Sequence, residues 1–125
     1  MKTAPFDLEA AKRGVPIKQA LDEFIEQIEL CSAMIAHNLD FDYPVLGAEM
    51  IRAGVFAANK PRKICTMKTT TYLCKLPGYR GYKWPKLEEL HHHLFGTGFD
   101  GAHDALNDVR ATARCFFMIK SQYGL

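Results

Sequence analysis

The 125-residue chain has no apolar run long enough for a signal-peptide core or a bilayer span, so neither a secretory leader nor a membrane segment is expected. Its four cysteines, Cys31, Cys65, Cys74 and Cys115, form no CxxC pair. That argues against a disulfide framework and for reduced, mostly buried thiols of a cytoplasmic protein. Neither sign of charge dominates: 16 basic against 14 acidic side chains leave +2, which neither announces a nucleic-acid partner nor excludes one. Internal repeats and low-complexity tracts are lacking too, and the only long irregular stretch runs from Lys75 to Pro85, which reads as a loop. What remains, 48% hydrophobic and 24% charged residues, is the composition of one folded domain over residues 1–125.

Hydrophobic periodicity orders the elements. Ile17, Ala20, Leu21, Phe24, Ile25 and Ile28 lie on one helical face, with Lys18, Asp22, Glu23 and Glu26 opposite. Ser32 to Ala36 is a short apolar run without alternation, as in a strand covered on both faces. After a polar turn, His37 to Asp40, Pro44 is expected in the first turn of a helix that Val45 to Ala53 continue and Gly54 stops. Lys63 to Thr66 is a second short strand, Lys86 to Phe95 a helix opened by Pro85, and Asp104 to Gln122 a long last helix. That last helix is predicted to turn Leu106, Val109, Ala113, Phe116 and the alkyl stem of Lys120 inward. The alternation of helices and buried strands indicates an α/β fold, helix-rich, with a small sheet. Two strands alone leave open edges, so a homo-oligomer, or an N-terminal segment not in this chain, is expected to complete the sheet.

Two polar constellations stand at element ends: Ala36-His37-Asn38-Leu39-Asp40-Phe41-Asp42 after the first strand, and Ala102-His103-Asp104-Ala105-Leu106-Asn107-Asp108 opening the last helix. Ligands of open α/β sheets gather beyond the carboxyl ends of strands, where Asp42 lies. A histidine in the loop before a helix can bend over an acid on its early turns, so His103 and Asp108 can converge. An imidazole beside a carboxylate on a hard cation is a suitable general base for activating water against phosphorus. Structural readings stand beside the chemical ones: Asp42 as the N-cap of the helix near Pro44, Asp104 or Asp108 as first-turn acids, Asn38 as a turn residue.

Taken together, these constellations resemble the second and third exonuclease motifs of the DEDDh family, the DnaQ-like and RNase T-like 3′-to-5′ exonucleases. Cys65-Thr66-Met67 is similar to the family's intervening segment, and Trp84-Pro85-Lys86-Leu87-Glu88-Glu89-Leu90 with Leu94-Phe95-Gly96 to the helix that follows. The resemblance covers nearly the whole chain and implies a ribonuclease H-like fold. It implies Asp42 and Asp108 as metal ligands and catalytic residues, His103 as general base, and Asn38 and Phe41 as substrate contacts. The implied cofactor is a pair of Mg²⁺ or Mn²⁺ ions, and the implied substrate a single-stranded or frayed 3′ end of DNA or RNA. The family's first motif, Asp-x-Glu on an opening strand, has no counterpart in such a setting. Asp7-Leu8-Glu9 has the letters but no apolar strand around it, and reads as the connector into the first helix. The chain is accordingly expected to be a partial exonuclease domain, weak or inactive alone. The rival expectations are a non-catalytic nucleic-acid-binding or partner-binding module on the same fold, and a purely structural helical domain.

His91-His92-His93 suggests a zinc site with Cys65 and Cys74, but adjacent helical residues point apart, so a surface with one partly buried ring is expected. Tyr79 to Lys86 interleaves aromatic and basic residues, a composition able to stack bases. A packed aromatic loop, with Trp84 anchoring the helix beyond Pro85, is the preferred reading. The cluster Phe116-Phe117-Met118-Ile119 is expected in the core.

Overall fold

The apolar stripe that begins at Ile17 forms helix α1, Ile17–Leu30, in a computed structural model that describes Gly14 and residues 16–123. Two units are distinct, one of residues 36–38 and 65–123, the other of residues 39–64 and the described residues up to 35.

In the second of these units, α1 turns Leu21 and Ile28 inward and leads to β1, Ala33–Ala36. Helix α2, Leu39–Ala53, connects β1 to β2, Arg62–Cys65. The Arg62 amide donates to the Ser32 carbonyl at 3.1 Å, so the two strands start from a common end and run parallel across the crossover helix. Side chains fix the approach to β2. The Glu29 carboxylate accepts the amides of Ala58 at 2.6 Å and Asn59 at 3.2 Å. The Asn59 carboxamide donates to the carbonyls of Ile28 at 2.8 Å and Cys31 at 3.0 Å, which carry on past the end of α1. Gly54, with φ +70°, ends α2 as expected, since a left-handed residue costs glycine nothing.

Two short helices, α3 (Thr66–Thr69) and α4 (Thr71–Cys74), open the larger unit. Their threonine hydroxyls donate backward along the chain, Thr70 to the Thr66 carbonyl at 2.6 Å and Thr71 to that of Met67 at 3.2 Å. Strands β3 (Pro77–Gly78) and β4 (Gly81–Tyr82) then pair antiparallel, and helices α5 (Leu87–Phe95) and α6 (Ala105–Tyr123) follow. The core of this unit lies between α5 and α6: Leu87, Leu90, Ala111, Cys115 and Ile119, with Cys74, Leu94, Phe95 and Phe99 packed against them. Among the described residues no helix is long and apolar enough to cross a membrane.

Several expectations are corrected. Helix α2 begins at Leu39, so Pro44 sits beyond its first turn and Asp42 lies inside the helix rather than capping it. Only one early helical bond lacks a donor at Pro44, a loss the rest of a 15-residue helix tolerates. The residues of β1 are half-buried, because β2 is the one strand beside it among the described residues. The stretch from Lys75 to Pro85 holds the β3–β4 hairpin rather than a bare loop. In α6 the inward stripe is Ala111, Thr112, Cys115, Phe116 and Ile119, whereas Leu106 and Val109 are 54% and 65% exposed, and Ala113 and Lys120 face outward too. The helix has two apolar stripes, and the one with smaller and more polar residues is covered. Phe117 lies on the outward side, so only part of the Phe116 to Ile119 cluster is core.

Candidate active site

The turn after β1 is built around His37. Its Nε2 lies 2.8 Å from the Pro85 carbonyl and its Nδ1 2.9 Å from the Thr66 hydroxyl. A carbonyl only accepts, so Nε2 carries a proton in this arrangement. In the neutral ring Nδ1 then accepts from Thr66; in the imidazolium Nδ1 donates, and the Thr66 hydroxyl is free to donate to the Ala36 carbonyl at 3.4 Å. Either way one ring joins the end of β1 to the start of α3 and to the proline before α5. Asn38 follows with φ +71°, a left-handed turn conformation that asparagine tolerates better than most residues.

The loop before α6 is shaped by two left-handed residues, Gly101 at φ +72° and His103 at φ +75°. A Cβ on Gly101 would stand 2.1 Å from Nδ2 of Asn107, a side-chain end that can swing away, so it is the left-handed φ that favours glycine here. The bend brings the His103 amide to 3.2 Å from Oδ1 of Asp108, in the first turn of α6. The two residues do converge, but through the backbone. The imidazole itself turns to α5, with Nε2 3.6 Å from Oε1 of Glu88. That is ion-pair range for the charged ring and too long for a hydrogen bond. Sequence reasoning passed over Glu88 and the Thr66 and Pro85 partners of His37, although all three lie in segments it singled out.

In the other unit, Asp42 lies in the first turn of α2, where the helix dipole favours a carboxylate, and its Oδ1 is shut off from solvent. Phe41, one residue earlier, is exposed. Asp7 and Glu9 fall outside the described residues. Carboxylate oxygens such as those of Asp42 and Asp108 suit hard divalent cations. Among the described residues, however, no three His, Cys, Asp or Glu side chains are grouped to hold a metal ion, so these residues do not by themselves form a metal cage.

Of the three adjacent histidines only His91 is buried. Its Nδ1–H donates to the Thr97 carbonyl at 2.7 Å, and its ring lies against Phe95 and Phe99, while His92 and His93 are exposed. All four cysteines are free thiols; Cys115 is buried and the other three are half-buried. Burial pushes the Cys115 thiol up to about 11, with Cys74 adding to the rise and Arg114 opposing it. Burial and the nearby Glu89 charge raise Cys74 as well.

A family model described as exonuclease, of the RNase T type, matches residues 7–116. No curated protein matches the chain, and no solved structure does.

Proposed function

The chain belongs to the RNase T-type exonuclease family, hydrolases that act on nucleic acid, and from that premise we propose a metal-dependent 3′-to-5′ exonuclease acting on single-stranded or frayed 3′ ends. The family match over residues 7–116 carries this reading, and the geometry around His103 supports it. In the proposal, residues 1–125 are one partial exonuclease domain of ribonuclease H-like fold, in the cytoplasm, with the parallel β1–α2–β2 unit as part of its sheet. His103 is the general base. With Nε2 toward Glu88, its Nδ1 is the nitrogen that takes the proton of the attacking water, and the Glu88 carboxylate steadies the imidazolium that results. Asp108 holds the loop that presents the ring by accepting the His103 amide. Asn38 and Phe41 are the proposed substrate contacts.

Mg²⁺ or Mn²⁺ is the cofactor this reading calls for, with Asp42 and Asp108 among its ligands. Two carboxylates are too few for a two-ion site, so further acids are needed, from Asp7 and Glu9, from upstream residues, or from another chain. Degradation of a 3′-labelled single-stranded oligonucleotide in Mn²⁺ tests the proposal. Turnover should fall about 10²-fold or more in His103→Ala, the range for losing a general base, and at least as far in Asp108→Asn. An Asp7→Asn variant as inactive as Asp108→Asn would place the missing acids within this chain. Oligonucleotide binding with neither turnover nor Mn²⁺ binding that is lost in Asp42→Asn or Asp108→Asn would sink the nuclease reading and leave a binding module.

A further inference from the structure

The β3–β4 hairpin turns its aromatic residues outward, contrary to the packed loop expected from sequence. Tyr79 at the tip is 97% exposed and Trp84 56%; the anchor expected of Trp84 is supplied by Pro85, which is fully buried. Gly81 takes φ +117°, and a Cβ on Gly78 would come within 3.0 Å of the Gly81 carbonyl oxygen and the Lys83 amide, so the tight turn depends on glycine. The Lys83 amide extends the pairing by donating to the Leu76 carbonyl at 2.9 Å. Extended backbone then sets Tyr82 and Trp84 on one face and Lys83 on the other. Lys83 is engaged there: its ammonium lies 2.9 Å from both carboxylate oxygens of Glu89.

The face with Tyr82 and Trp84 meets residues of α3 and α4. Tyr72, itself 77% exposed, packs edge-on to Tyr82 with ring centroids 5.8 Å apart, and the Lys68 ammonium stands 5.5 Å from the centre of the Trp84 ring. At the hairpin turn the Arg80 guanidinium lies 5.8 Å from the centre of the Tyr79 ring, so cations and open rings are paired there as well. From Thr66 to Lys86 the sequence contains Lys68, Lys75, Arg80, Lys83 and Lys86 and not one aspartate or glutamate. A chain near overall neutrality thus concentrates positive charge where it exposes aromatic faces. Exposed aromatics clustered this way mark interaction surfaces, and rings with cations among them match bases on a phosphate backbone.

We propose that this hairpin, with Lys68 and Tyr72, is a stacking platform for single-stranded nucleic acid, separate from the residues assigned to catalysis. The inference rests on the nucleic-acid substrate of the proposed function and adds where the strand lies. The first turn of α5 joins the two: Glu89 holds the hairpin through Lys83, and Glu88 beside it meets His103.

Trp84 is the sole tryptophan of the chain, so its emission reports this platform alone. Titration with dT12 and with U12, in chelator to suppress turnover, should quench that emission saturably, and the stronger of the two identifies the preferred sugar. Fluorescein-labelled oligonucleotide should bind about fivefold or more weakly to Tyr72→Ala, and Arg80→Ala should lower the salt dependence by about one counterion. Binding should persist in Asp108→Asn. No quenching, or quenching unchanged in Tyr72→Ala and Lys68→Glu together, overturns the platform. So does a Trp84 emission change that tracks protein concentration without oligonucleotide, which marks a protein contact. Turnover without quenching sinks the platform alone, and quenching with neither turnover nor Mn²⁺ binding sinks the nuclease reading alone.

Discussion

The two units of this chain hold their apolar residues very differently. Around α5 and α6, Leu90 and Cys115 are wholly buried, and polar side chains close the remaining gaps: Thr66 and Thr70 bond the backbone, and His91 is paired with Thr97. In the unit of α1, β1, α2 and β2, a single residue of α2, Leu39, is buried, while Leu30, Ile51 and Phe56 are each more than four-fifths exposed. Both carry enough apolar residues for a core, but only one brings two long faces together. Burial follows from opposing surfaces, not from hydrophobic content.

The contrast can be broken by substitution. Leu90→Ala should cost about 2–5 kcal/mol in chemical denaturation, and Ile51→Ser less than about 0.5 kcal/mol. Equal costs would mean that the exposed face of α2 is covered in solution. The pH dependence of stability sharpens the comparison. An unfolded thiol titrates near its ordinary value of 9.0, whereas burial makes Cys115 keep its proton to about 11. Between those values the folded state binds the extra proton, so stability is full below pH 9, falls by about 1.4 kcal/mol per pH unit at most, and levels off above 11. Cys115→Ala should flatten that limb. The smallest effect is a difference in local opening: amides of β1 should exchange with deuterium well before those in the middle of α6.

How much of this the sequence discloses depends on the kind of signal. The stripe of α1 is legible because large apolar residues repeat without interruption. The inward face of α6 is not, because Ala111, Thr112 and Cys115 do the close packing while larger Leu106 and Val109 advertise the wrong side. Strands of two residues cannot show an alternation, which hides the hairpin. At the candidate site, the five-residue spacing does bring His103 to Asp108. It could not reveal that the amide would occupy the carboxylate and leave the ring to Glu88, since that depends on a left-handed residue and a second helix.

His37 reaches partners 29 and 48 residues further along the chain. During synthesis this ring must wait, unclamped, until Thr66 and then Pro85 have themselves emerged from the ribosome. The turn that bears Asn38 therefore acquires its final setting late in biogenesis, once the rest of its own unit has been made.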